Sequence, residues 1–298
     1  MKHFSRSTPP TDLLMPRDQI VEFPRLQHQA TDWMELSHRK HTMYGLIEVD
    51  VTGARRAIKR HRARTGTPAS LTAFIVYCLA RAVAADRAMQ AYRLGRRRLV
   101  LFEEVDVATM VEREVDGARI PLPYIVRAAQ AKSIDQIGFE LRAVQRQKPE
   151  DVALGSVPPR LRWIFEHGLS VWLALPTAAR RFVWAWILAD PYRRKRLSGT
   201  VGLTSVGMFG HGVGWGVTPM GHSLAVVVGG VSSRPAVVGS SIEPREYLCL
   251  TLTLDHDVVD GAPAARFTTR LKDLIESCAG LSTESDVQRK RVAGANHV

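Results

Sequence analysis

The stretch Leu248 to Leu254 is the tightest local constraint in the chain. Leucines at 248, 250, 252 and 254 alternate with Cys249, Thr251 and Thr253. Successive side chains of an extended chain point to opposite faces, so a period of two predicts a strand with one leucine face in the core. Soon after it, Ala264, Phe267, Leu271 and Leu274 recur at helical spacing, with Pro263 near the helix start. The link Asp255-His256-Asp257-Val258-Val259-Asp260-Gly261 thus joins a buried strand to an amphipathic helix. A histidine in such a link is held by rigid elements and can face a cleft. Imidazoles as a class titrate near neutrality, so they can take a proton from a thiol or hydroxyl and return it. Asp260 can fix the turn or orient polar neighbours, and Gly261 permits a tight backbone path into the helix. Asp-Gly before a helix is equally ordinary turn chemistry, so spacing alone leaves a structural histidine open.

Upstream, Gly45 to Thr52 predicts a strand. Gly53 to Arg64, with six cations and few apolar positions, predicts a basic surface helix closed by Gly66 and Pro68. Ser70 is placed to cap an apolar helix over Leu71 to Ala85. Val105 to Val111 predicts a strand, Asp116-Gly117 a turn, and Ser133 to Val144 an amphipathic helix with Asp135 in its first turn. Thr200 to Ser205, Ser223 to Val228 and Ala236 to Val238 predict strands, the last two buried and separated by Gly229-Gly230, with a glycine-loaded loop from Gly207 to Gly216.

The region from about 149 to 198 differs in composition, holding Trp163, Trp172, Trp184 and Trp186, four of the six tryptophans. Its two apolar stretches are split by Pro176 and interrupted by Glu166, His167, Arg180 and Arg181, so no span of about 20 apolar residues forms a transmembrane helix. A helical hairpin is expected instead, packed on protein or on a membrane surface. Residues 1–20 are expected to be a mobile lead, 21–280 one domain carrying this Trp-rich insertion, and 281–298 a tail.

With 45% hydrophobic residues the chain can build a sizeable core. The three cysteines, Cys78, Cys249 and Cys278, form no CxxC pair; that argues against a disulfide framework or a zinc site and suits a reducing cytoplasm. No metal site is expected. A net charge of +12 favours anionic partners without choosing among them. No helix-turn-helix, zinc finger or stacking platform supports nucleic-acid binding.

Leu250 to Glu276, LTLTLDHDVVDGAPAARFTTRLKDLIE, resembles the end of the catalytic domain of dihydrolipoyl acyltransferases, the core subunits of 2-oxoacid dehydrogenase complexes. His256, Asp260 and Gly261 match the family signature, an Asp-His-Arg, two variable residues, then Asp-Gly or Asn-Gly. Gly199 to Gly210, GTVGLTSVGMFG, is similar to the family's active-site strand and loop, and the segments 224–226, 234–238 and 46–52 also match. The resemblance covers roughly residues 30–145 and 199–280. It implies an α/β, chloramphenicol-acetyltransferase-like two-layer fold, a mixed β-sheet with helices packed on it. It further implies direct acyl transfer between coenzyme A and an acceptor thiol, hydroxyl or amine, in a homotrimer with its site between subunits. His256 would be the general base, and the family's oxyanion-donating hydroxyl falls on Thr204, with Ser205 beside it.

Four departures stand out. Asp257 replaces the family's arginine, and Asp116 to Arg127 carries changed spacing. The block before Gly199 is longer and more apolar, and the strand beginning at Gly45 leaves no room ahead of it for a lipoyl domain. Without a lipoyl group of its own, the chain is expected to use acyl-CoA with another protein's lipoyl or carrier domain, or with a free small molecule. The alternative is a non-catalytic scaffold that binds a protein partner or a membrane surface through the Trp-rich segment.

Overall fold

The leucine strand sits second from the edge of a six-stranded mixed sheet. The computed structural model describes residues 31–32, 34–35, 37–38, 40–115, 118–146, 175–206, 212–219 and 221–281. In chain order these form β1 (Thr42–Asp50), α1 (Thr52–Thr65), α2 (Leu71–Ala85), β2 (Tyr92–Leu94), β3 (Arg98–Val100), β4 (Val107–Val115), β5 (Ala118–Val126), α3 (Ile134–Arg146), α4 (Thr177–Ala189), α5 (Pro191–Ser198), β6 (Val201–Ser205), β7 (Leu224–Val238), β8 (Ser241–Asp255) and α6 (Gly261–Glu276). The sheet order is β1-β8-β7-β6-β4-β5, with β2 and β3 as a separate small ribbon. β6 runs parallel to both β4 and β7, and the remaining pairings are antiparallel. The expected mixed sheet with helices packed on it is therefore the architecture found.

Local signals set most element ends. Ser70 Oγ accepts the Ala73 N–H at 3.1 Å and opens α2. Ser133 and Gln136 exchange backbone-to-side-chain hydrogen bonds at 2.8 and 3.2 Å, a capping box at the start of α3. Gly66, at φ 68°, closes α1 in the left-handed region. β5 carries Pro121 and Pro123 yet stays in the sheet because it is the edge strand, where a missing N–H interrupts no second ladder. The Asp116-Gly117 turn between β4 and β5 lies outside the described residues, as do residues 1–20, the first apolar stretch and Trp163 and Trp172 of the insertion, Gly207 to His211, and the tail.

The core lies between the sheet and helices α2, α3 and α6. Phe74, Leu79, Ile137, Leu248, Leu250, Leu252, Phe267 and Leu271 are buried in one cluster. Each such side chain contributes about 1.5–3 kcal/mol of apolar burial. Two expectations change here. Ile275, not Leu274, completes the buried stripe of α6, and Leu274 only packs against its margin. Ala236 to Val238 is not a separate buried strand: β7 runs continuously through a bulge between Val228 and Val231, and the outer β7–β8 ribbon projects beyond β1. Val237 is accordingly 78% exposed. Gly229 and Gly230 are needed at that bulge, because Cβ atoms there would fall 2.1 and 2.0 Å from the carbonyl oxygens of Gly214 and Gly212.

Candidate active site

The turn after β8 extends the β1–β8 ladder by one bond and then folds back. The His256 N–H donates to the His41 carbonyl at 2.7 Å, and the Val258 and Val259 N–H groups both donate to the Asp255 carbonyl at 3.0 Å. His256 is thereby pinned through its backbone, while its side chain stays 50% exposed. Asp260 stands four residues on at the N-cap of α6, with no side-chain cap bond. Its carboxylate is 85% exposed and lies 3.9 Å from His256 Nδ1. Gly261 does not have the role expected of it. Its φ is not positive, and a Cβ at this position would meet no atom within 4 Å, so the path into α6 does not require glycine.

Beneath the turn lies an ion pair with no signature in the local sequence. Asp255, 6% exposed, meets Lys40 Nζ at 2.7 Å, and Lys40 also donates to the His222 carbonyl at 3.0 Å. Burial, followed by the nearby Arg194 charge, pushes the Lys40 ammonium down to about 8. Asp257, standing where the resembling family has arginine, has partners of its own. His41 Nδ1 lies 2.9 Å from its carboxylate and Arg93 3.7 Å away. The bond from His41 holds the Asp257 carboxyl below the usual range.

A second polar cluster braces the start of β6. Asp106, 2% exposed, accepts from Arg127 Nη1 and the Ala128 N–H, both at 2.9 Å, while its own N–H donates to Thr200 Oγ1 at 3.0 Å. Arg127 also donates to the Lys195 carbonyl at 3.0 Å, so the arginine ending the respaced 116–127 stretch still clamps the entry to β6. Next to it, the His222 imidazole is held neutral by burial, down to about 3, with Nε2 donating to the Ser198 carbonyl at 2.6 Å. Arg194 lies over the Tyr92 ring, 3.7 Å from its centroid. Cys78 and Cys249 are buried, and burial raises the Cys78 thiol, the opposite of what a nucleophile needs. No cluster of three or more metal-ligating side chains occurs among the described residues.

Thr204 and His256 are not neighbours within one protomer. Thr204, half-buried on β6, pairs with Val227, which pairs in turn with Thr251 on β8. His256 follows Thr251 by five residues along β8, roughly 16 Å at the usual strand rise, and two strand spacings across add roughly 10 Å. Lys40, His222 and Arg194 were missed by motif reading, as were the partners of Asp255 and Asp257. The only linear hint was that Asp255 and Asp257 flank the histidine.

Residues 193–282 match the family described as 2-oxoacid dehydrogenases acyltransferase (catalytic domain). Over 94 residues, 30% of this chain, the sequence is 39% identical to the dihydrolipoyllysine-residue acetyltransferase component of the Pseudomonas aeruginosa pyruvate dehydrogenase complex; the match spans 17% of that relative's length. In structure, the chain resembles a probable dihydrolipoamide acetyltransferase from Listeria monocytogenes, at a TM-score of 0.63 and 18% identity, over 91% of this chain and 98% of the other. It also resembles the Azotobacter vinelandii dihydrolipoamide acetyltransferase, at a TM-score of 0.62 and 19% identity, over 92% of this chain and 98% of the other. The C-terminal third of the chain is thus similar in sequence to the catalytic domain of 2-oxoacid dehydrogenase acyltransferases, and the chain as a whole has the fold of their catalytic cores.

Proposed function

We propose that the protein is an acyltransferase that moves an acyl group directly between coenzyme A and an acceptor thiol, hydroxyl or amine, with His256 as general base. The observation that carries this reading is the half-exposed imidazole, pinned by its own backbone and by a buried ion pair beneath it. His256 in its neutral form takes the acceptor's proton as the acceptor attacks the thioester carbonyl. The tetrahedral oxyanion collapses, the coenzyme A thiolate leaves, and the imidazolium returns the proton to it. Asp260, 3.9 Å from Nδ1, orients the ring.

Thr204 enters this scheme from a neighbouring protomer, donating its hydroxyl to the oxyanion, a contribution worth about 3 kcal/mol. The wide separation of Thr204 and His256 within one protomer favours a site between chains, and a homotrimer supplies such interfaces. In the Azotobacter vinelandii enzyme, whose catalytic mechanism has been probed at a serine, a histidine and an asparagine, these three stand at the same sequence intervals as Thr204, His256 and Asp260. The acceptor, on this reading, is a lipoyl or carrier domain of another protein or a free small molecule.

The test is release of free thiol from acetyl-CoA. His256→Ala is expected to lower the rate by a factor of about 10²–10⁴, and an unchanged rate removes His256 from the mechanism. Equal mixtures of His256→Ala and Thr204→Val chains, refolded together, should regain activity at about one quarter of sites, because random mixing pairs one intact half-site of each kind. Absence of any regain places both residues in one protomer or outside the site. If the chain is instead a non-catalytic scaffold, neither wild type nor mixture releases thiol from any acyl-CoA.

A further inference from the structure

Helix α4 buries a charge and exposes an apolar face. Its arginine Arg180 is 5% exposed and meets Asp32, itself 2% exposed, at 2.7 Å, while Arg181 pairs with Asp32 and Glu35. The opposite face carries Ala178, Phe182, Ala185, Trp186 and Ala189, exposed at helical spacing and wholly apolar. Phe182 is 73% and Trp186 53% exposed, and α5 continues the surface with Tyr192 at 60% and Leu197 at 51%. A helix in contact with water alone has the reverse arrangement, and a contiguous aromatic patch of this kind marks a surface that is covered in use.

The charges around the patch indicate what covers it. The Arg193 guanidinium lies 3.8 Å from the Trp186 ring centroid, and Arg196 is exposed on the next turn. Asp190, the acid between the two helices, caps α5 through the Tyr192 and Arg193 N–H groups and lies 3.8 Å from the Arg193 guanidinium, which leaves Arg196 as the further cation. Glu104 is engaged by Lys195 at 3.1 Å, and Glu35 by Arg181. The rim therefore presents cations around an apolar, aromatic centre. A second copy docked on the same face would set Arg193 and Arg196 against themselves. An anionic lipid surface satisfies both features at once, because rings and alkyl groups enter the acyl boundary while guanidinium groups meet phosphates. No described helix is long and apolar enough to cross a membrane.

We infer that the α4–α5 face docks on anionic phospholipid membranes, with α4 in the interfacial plane and Phe182 and Trp186 inserted. This inference does not depend on the acyl-transfer reading. The full chain is sedimented with phosphatidylcholine vesicles, alone and with about 30% phosphatidylglycerol, at low and high salt. Pelleting is expected with the anionic vesicles at low salt. It should weaken about tenfold or more in Phe182→Ser/Trp186→Ser, and also in Arg193→Gln/Arg196→Gln. Circular dichroism and the thermal denaturation midpoint serve as checks that each variant is folded. Any of these results overturns the inference: no pelleting with anionic vesicles, equal pelleting with neutral ones, or a folded Phe182→Ser/Trp186→Ser chain that pellets like wild type. A lipid-free oligomer that the same double variant dissociates assigns the face to a second copy and overturns it as well.

Discussion

The His256 turn and helix α4 are anchored by the same device and present opposite chemistry. Each rests on a buried ion pair that reaches a distant segment, Lys40 with Asp255 under the turn and Arg180 with Asp32 under the helix. The turn leaves one imidazole in solvent, whereas the helix leaves a face of aromatic rings. In both, the polar groups are drawn inward and paired, so the outward group is chosen by what is satisfied underneath. A buried ion pair adds little net stability over an apolar replacement, but removing one partner is costly. That asymmetry makes it a good device for fixing orientation.

The largest expected effect breaks the anchors. Arg180→Ala leaves the buried Asp32 carboxylate with the longer 3.7 Å contact to Arg181 and should cost about 3 kcal/mol or more in chemical denaturation. A smaller cost would mean that α4 is held by its apolar contacts instead. Next is a pH signature peculiar to the turn. Because the folded Lys40 sits near 8 and an unfolded lysine near 10.5, the unfolded chain binds more protons between those values. Stability should therefore rise as pH climbs from 8 towards 10.5, by up to about 3 kcal/mol. Below pH 8 the penalty of burying the charge is present in full. Lys40→Met should flatten this slope, measured as the denaturation midpoint against pH, while Arg180→Met leaves it in place.

Smaller effects distinguish the rim of the turn from its base. Asp257→Asn removes an exposed pair with His41 and should cost no more than about 1 kcal/mol. Since the Asp257 carboxyl is depressed in the fold, its contribution is present above the ordinary carboxylate range and lost as pH falls through the depressed value. Wild type and variant should therefore converge in acid. A thermal shift for Asp257→Asn as large as that for Arg180→Ala would contradict the comparison. The smallest change is Gly261→Ala, which enters open space at an ordinary φ and should stabilise by up to about 1 kcal/mol.

What was legible in the sequence was local. The leucine alternation, the Ser70 and Ser133 caps and the stop at Gly66 each depend on residues a few positions apart, and each appears where expected. The motif around His256 was legible for the same reason. Gly261 was misread because Asp-Gly is common in turns that need a positive φ, and only the observed backbone shows that this one does not. Ala236 to Val238 was misread because β-branched residues look the same in a buried strand and in a projecting ribbon; β1 ends short of them. The Asp257 exchange could be seen in sequence, but not the His41 and Arg93 that receive it.

By itself, then, the sequence marked many of the strands and helices and put a histidine at the exit of a buried strand, because periodicity and capping are properties of neighbouring residues. The tertiary structure decided what lies under and around that histidine. The contacts of Lys40 with the His222 carbonyl and of His41 with Asp257 bridge 182 and 216 positions. It also held Thr204 and His256 apart across three strands and turned Arg180 of α4 inward. Such outcomes follow from strand order and register, which bring remote residues together or hold them apart through constraints that no short stretch of chain contains.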